Sequence, residues 1–206
     1  MKLAVLFSGG KDSCLALESA IKSGEVECLV SVISENTESY MFHTPNIKLT
    51  EIQAEAIGLP LVMISTEGEK EKELKDLEEG LKKAKEKFGI KGVYTGALAS
   101  NYQKSRIEKL CNSLGLECFN PLWGRNQMEI LREVRKDYDV IISGVFAQPF
   151  GEEWLGRRID TEAVSELGEF ERKYKINPAG EGGEIETTVL DGPFFNKRIV
   201  IEKSSA

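Results

Sequence analysis

Six consecutive residues, Ser8-Gly9-Gly10-Lys11-Asp12-Ser13, gather at one point most of the chemistry that this chain can do. Gly9 and Gly10 carry no Cβ, so the backbone can turn tightly there and lie close to a ligand. Successive N–H groups at the start of a following helix receive an anion. Ser8 and Ser13 add hydroxyl donors, and Lys11 adds a positive charge. Asp12 is the odd member, because a carboxylate repels phosphate. A bridging Mg2+ removes that conflict by joining carboxylate and phosphate oxygens, which makes Asp12 the candidate metal ligand. A Walker A loop does not fit, since Asp12 follows the lysine, and no Gly-x-Gly-x-x-Gly is present. The plain alternative is a ligand-free turn in which Asp12 or Ser13 caps the helix.

A second set lies near the C-terminus, in Asn177-Pro178-Ala179-Gly180-Glu181-Gly182-Gly183-Glu184-Ile185-Glu186-Thr187. Three glycines within four positions imply a loop that approaches something closely. Glu184 and Glu186 are two apart, so in a strand they face the same side. There they repel unless a cation, a proton or solvent intervenes. The functional reading is a pocket for ammonium or metal, or a general base; the plain one is the solvated face of an edge strand. Between the two sets, Gly96 closes a short strand. Tyr102 and Arg106, four apart, share a helix face. Arg106 suits a phosphate or carboxylate above a sheet, and equally a surface acid. His43, the only histidine, falls in a loop and stays outside the chemistry.

The elements that must position these residues alternate along the chain. Leu3–Phe7 reads as a buried strand and Cys14–Ile21 as a helix. Strands follow at Glu27–Ile33, Leu59–Ile64, Val93–Thr95 and Glu117–Leu122, with helices at Leu49–Ile57, Glu67–Phe88 and Asn101–Leu114. The Glu/Lys-dense helix has one apolar stripe, Leu74, Leu77, Leu81, Ala84 and Phe88. Its charges, including Glu71 with Lys75, form a solvated face. The polar loop Ser34–Ser39 is placed by topology near the loop after the first strand. The alternation predicts an α/β, doubly wound, mainly parallel five-stranded sheet over residues 1–122. A smaller α+β lobe follows over 123–206, with a helix at Gln127–Val134, a strand at Val140–Val145, a helix at Thr161–Phe170, and strands at Ile185–Leu190 and Lys197–Glu202. The Ser8–Ser13 loop then sits at the carboxyl end of the first strand, where open α/β sheets bind ligands.

The chain has 206 residues, 41% of them hydrophobic, enough for a proper core. Its net charge of −7, from 27 basic against 34 acidic residues, disfavours a broad nucleic-acid or membrane footprint, though not a local basic groove. Cysteines at 14, 28, 111 and 118 have no Cys-x-x-Cys spacing, which argues against a zinc or redox motif and for reduced thiols in the cytoplasm. No run approaches a membrane span, and the short N-terminal apolar run does not read as a signal peptide.

The first loop resembles the pyrophosphate loop, Ser-Gly-Gly-x-Asp-Ser, of the ATP pyrophosphatase superfamily, whose members cleave ATP to AMP and pyrophosphate. Together with Gly96, Tyr102-Gln103, Arg106, Pro121-Leu122-Trp123, Trp154-Leu155-Gly156-Arg157 and Gly180–Thr187, the chain resembles the diphthine–ammonia ligase family. Two departures, Ala97 where many eukaryotic members carry an acid and the lack of a C-terminal extension, make it look like the short, archaeal form. The resemblance implies an adenine nucleotide alpha-hydrolase-like fold and the last step of diphthamide synthesis on translation elongation factor 2. It implies ATP and Mg2+ as cofactors, and the elongation factor and ammonium as partners. Ser8 to Ser13 and Gly96 would hold the nucleotide. Lys11, Asp12, Arg106, Glu184 and Glu186 would carry the chemistry, and Tyr102, Arg106, Asn177, Glu181, Glu184 and Glu186 the substrate. Oligomeric state stays open, a homo-oligomer included. Two rivals share the loop: a tRNA-modifying ATP pyrophosphatase, and a nucleotide-binding module without catalysis.

Overall fold

A computed structural model of the chain describes residues 1–34, 49–68 and 72–202. Five strands, β1 (Lys2–Leu6), β2 (Glu25–Ser34), β3 (Leu61–Thr66), β4 (Gly92–Tyr94) and β5 (Glu117–Phe119), form one sheet in the order β3-β2-β1-β4-β5. Every pairing in it is parallel. The connecting helices are α1 (Lys11–Ser23), α2 (Leu49–Ile57), α3 (Lys72–Phe88) and α4 (Asn101–Ser113). The doubly wound α/β fold expected from the alternating pattern is therefore present. The chain winds outward from β1 to β3, then returns to β4 on the other side of β1. Loops after β1 and β4 part at that switch point, which opens the crevice where such sheets take ligands.

β1 is buried on both faces, as a central parallel strand must be. Leu3, Val5 and Phe7 pack with α1, α2 and residues of the C-terminal lobe, while Ala4 packs with Leu77, Leu81 and Ile107 from α3 and α4. The α3 stripe is as expected: Leu77, Leu81 and Ala84 are buried, with Leu74 and Phe88 at its edges. Of its expected ion pairs, Glu71 with Lys75 lies partly outside the described residues, as do His43 and the loop after Ser34.

The C-terminal lobe comprises α5 (Gln127–Asp137), β6 (Asp139–Val145), α6 (Thr161–Tyr174) and β7 (Ile185–Asp191), with β6 and β7 antiparallel. Its apolar residues, Leu131, Val140, Trp154, Leu167 and Val189, join the same core as Leu3 and Val5. Trp154 is 2% exposed and packs edge-on against Phe150, so it belongs to that core and not to a surface.

Two expected strands are corrected. β5 stops at Phe119 instead of Leu122, because Pro121 has no N–H to continue the ladder and the chain turns at Pro121–Gly124. Lys197–Glu202 is not a strand. One bond joins it to β7, from the Ile199 N–H to the Leu190 carbonyl at 2.9 Å, and Val200 and Ile201 then leave for solvent. No helix among the described residues is long and apolar enough to cross a membrane.

Candidate active site

The site is built where the turn after β1 meets β7. Phe7 extends β1 by donating to the Val30 carbonyl at 2.8 Å. Its own carbonyl accepts from the Ser31 hydroxyl at 2.5 Å. The chain then reverses through Gly9, whose φ of +78° lies in the left-handed region that glycine adopts without strain. Gly10 starts α1 and provides no side-chain cap, unlike Ser100, Asn126 and Asp160 at the starts of α4, α5 and α6. The first turn of α1 is instead closed from outside. The Lys11 N–H donates to the Thr187 hydroxyl at 3.2 Å, and the Val189 N–H donates to the Gly9 carbonyl at 3.0 Å. Ser13 donates to the Gly10 carbonyl at 2.9 Å, and Ser8 reaches Ser13 at 3.4 Å.

Lys11 is only 4% exposed. Its ammonium donates to Asp12 Oδ2 at 2.7 Å and to the Ala179 carbonyl. The charge read as a phosphate contact thus also holds the C-terminal loop in place. Asp12 Oδ1 is buried and has no hydrogen-bond partner.

Gly96, in the loop after β4, lies against the start of α1. A Cβ there would come 2.8 Å from the Asp12 carbonyl carbon and 2.9 Å from the Ser13 nitrogen. Its absence lets the β4 loop touch the backbone at the start of α1. The same loop reaches the C-terminal lobe, for the Ala99 N–H donates to Glu181 Oε2 at 3.1 Å. Burial raises the Glu181 carboxyl above its ordinary value, and the Asp12 charge raises it further; Lys11 and the Ala99 N–H oppose them. Glu181, Asp12 and Lys11 therefore act on one another across the crevice.

Glu184 and Glu186 do not share a strand face. β7 begins at Ile185, and Glu184 turns back into the glycine loop. There its Oε1 accepts from the Asn177 N–H and side-chain amide, each at 2.9 Å, and its Oε2 accepts from the Gly182 N–H at 2.8 Å. Asn177 is held in turn by Gln127, whose own carbonyl accepts from the Ala179 N–H. Glu186 leaves β7 on the face opposite Thr187 and beside Gly144 of β6. Burial alone pushes its carboxyl up to about 7, with no contribution from Glu184. The expected repulsion between the two acids is absent.

Tyr102 and Arg106 do share a face of α4, with the guanidinium 3.5 Å above the ring centre. The nearby Lys104 ammonium lies 4.3 Å from the Trp123 ring centre. All four cysteines are free thiols. Burial raises Cys14 and lifts Cys28 to about 12, so neither is a nucleophile. Sequence reasoning missed Gln53 and Gln127. For Gln53 a signal existed: Thr50, Gln53, Ala54 and Ile57 recur at helical spacing, which puts a polar side chain on the buried stripe of α2.

Residues 1–118 match the family model for the diphthamide synthase N-terminal domain, and residues 126–206 match its C-terminal domain. Diphthine–ammonia ligase of Mus musculus is 37% identical over 230 residues, covering 100% of this chain and 85% of the relative. That of Homo sapiens is 35% identical over 228 residues, covering 99% and 84%. The Saccharomyces cerevisiae relative is 31% identical across 95% of this chain, which spans 33% of that longer protein. A solved structure from Methanocaldococcus jannaschii, described as a predicted subunit of tRNA methyltransferase, is 18% identical with a TM-score of 0.48, covering 97% of this chain and 100% of that one. With both halves matched in order and relatives 37% and 35% identical across nearly the whole of it, this chain belongs to the diphthine–ammonia ligase family of enzymes.

Proposed function

We propose that this chain is an ATP-dependent, AMP-forming carbon–nitrogen ligase of the cytoplasm that converts diphthine on translation elongation factor 2 to diphthamide. In this reading the diphthine carboxylate attacks the α phosphate of ATP and pyrophosphate departs. Ammonia then displaces AMP from the acyl-adenylate to form the amide. One observation supports the reading: the Ser8–Ser13 turn is joined to the C-terminal lobe by Lys11 to Thr187 of β7 and Lys11 to Ala179, and the loop after β4 is joined to the glycine loop by Ala99 to Glu181. An enzyme that activates one substrate with ATP and delivers it to another needs both halves in one enclosure.

The N–H groups and hydroxyls of Ser8 to Ser13 hold the departing pyrophosphate and stabilise the charge that builds on it. The buried, unpartnered Asp12 Oδ1 fits a cation, while Oδ2 is kept by Lys11. Asp12 would hold Mg2+, with oxygens of phosphate and water as further ligands, since no group of three or more metal-binding side chains occurs among the described residues. When bound, the ion supplies charge neutralisation at the phosphates. Arg106, stacked on Tyr102, clamps a phosphate or the diphthine carboxylate. Glu181 closes the β4 loop over the crevice, and Glu184, with both oxygens occupied, shapes the loop carrying Asn177. Burial lifts Glu186 to about 7, so it takes the proton that the incoming nitrogen loses.

The test is to incubate the protein with ATP, Mg2+, ammonium and either diphthine-bearing elongation factor 2 or tRNA. The reading expects AMP and pyrophosphate to appear only with the elongation factor, whose mass changes to that of the amide. AMP release that depends on tRNA would establish the first rival, and ATP binding without AMP would leave a binding module.

A further inference from the structure

We infer that Gln53 is a positioning residue for nucleotide binding: it aims the Gly10 N–H into the phosphate cradle by fixing the carbonyl on the other side of the same peptide. Gln53 is 1% exposed on α2. Its side-chain amide donates to the Gly9 carbonyl at 2.9 Å and to the Val189 carbonyl at 2.8 Å. The Val189 N–H also donates to the Gly9 carbonyl, at 3.0 Å, so that oxygen carries two bonds. A trans peptide is planar, and its C=O and N–H point in opposite directions. Two donors that hold the Gly9 oxygen inward therefore hold the Gly10 N–H outward, on the side where α1 begins. Gly9 needs this restraint more than any other residue of the loop, because at φ +78° a glycine backbone has no side chain to limit its swing. The fit also favours glycine at position 9, where φ is +78° and a Cβ would come 2.0 Å from Gln53 Oε1.

The amide serves a second purpose. By bonding Gly9 and Val189 together it fastens the phosphate loop to β7, the strand that carries Thr187 and Glu186. Gln53 is buried, and both bonds of its side-chain amide are spent on the Gly9 and Val189 carbonyls. Its effect on the nucleotide passes through the Gly9–Gly10 peptide. This inference rests on the reading of Ser8–Ser13 as the phosphate site.

The experiment measures equilibrium binding of ATP and of inorganic pyrophosphate to the full chain by calorimetry. It compares the unmodified protein with Gln53→Met, which keeps the length and removes the donors. It also includes Gln53→Glu, which keeps the shape and sets acceptors against two carbonyls. Losing a buried donor pair from a loop that must present N–H groups is expected to weaken both ligands about tenfold. The KM for ammonium in amide formation stays within twofold, a split that general loss of folded protein would not produce. If Gln53→Met does not fold, as judged by circular dichroism, Gln53→Glu decides. A folded variant that binds ATP and pyrophosphate within twofold of the unmodified protein overturns the role of Gln53 alone. An unmodified protein that binds neither overturns the phosphate site and this inference with it.

Discussion

The Lys11 N–H and the Thr187 hydroxyl lie 176 positions apart in the chain and 3.2 Å apart in the fold. Through that bond the last strand reaches the first helix at its amino end, where four N–H groups begin without helical partners. Thr187 removes one of those donors from competition and fixes the direction of the rest. The C-terminal lobe is thus in direct contact with the turn proposed to hold the nucleotide.

Thr187→Val tests this directly. Valine keeps the β-branched shape that suits β7 and removes only the hydroxyl. A part-buried Lys11 N–H then loses its acceptor, at a cost of about 1 kcal/mol. The expected result is a severalfold rise in the dissociation constant for ATP and little change in the thermal midpoint, checked by calorimetry. Unchanged ATP affinity would show that β7 only abuts the loop.

Asp12→Asn is expected to lower AMP formation by about a hundredfold or more, the range in which charge stabilisation at a reacting phosphate falls. The asparagine keeps the shape, and one oxygen can still accept from Lys11. It no longer offers a negative oxygen at the place where Oδ1 now lacks a partner. Titration of activity against Mg2+ should show a much weaker dependence in the variant. An equal Mg2+ requirement in both proteins would place the metal elsewhere.

Much of the sheet was legible because its signals are local. Apolar runs of strand length between amphipathic helices gave the five parallel strands, and Leu49–Ile57 is a helix at the bounds read from its sequence. The failures come from groups whose meaning depends on distant partners. Pro121 ends β5 only because a neighbouring strand would require its missing N–H. Lys197–Glu202 has strand composition but no neighbour among the described residues that covers Val200 and Ile201. Glu184 was read with Glu186 on period-two logic, and that logic fails one residue before β7 begins. There, the Asn177 and Gly182 N–H groups draw its carboxylate into the loop. The turn at Ser8–Ser13 between β1 and α1 was legible from the apolar run before it and the helical spacing after it, whereas Gln53 and Thr187 come to brace it only through tertiary contact.

Glu186 makes pH a probe of the proton-accepting role. Its folded carboxyl titrates at about 7, above the ordinary glutamate value, because burial disfavours the charge. A raised acid pKa means that the folded state binds this proton more tightly than the unfolded state. Stability from this group is therefore full below the unfolded value near ~4.3 and is lost as pH rises toward about 7. Glu186→Gln should flatten that decline, measured as denaturant midpoints at acid and mildly alkaline pH. Amide formation should rise with pH through about 7 in the unmodified protein, where the carboxylate forms, and lose that limb in the variant. A variant that retains the limb and the full rate would remove Glu186 from the chemistry.

Glu184→Gln should do the opposite. The Glu184 carboxylate is buried and accepts from the Asn177 N–H, the Asn177 amide and the Gly182 N–H. Glutamine turns one acceptor into a donor that faces another donor, which costs about 1–3 kcal/mol in a buried place. The loop that carries Ala179 and Glu181 then loosens, and with it the contacts to Lys11 and Ala99. The expected outcome is a lower thermal midpoint, faster hydrogen exchange at Asn177 and Gly182, and weaker ATP binding, while the pH limb of amide formation survives. Loss of the pH limb in Glu184→Gln with an unchanged midpoint would reverse the assignment and make Glu184 the proton acceptor.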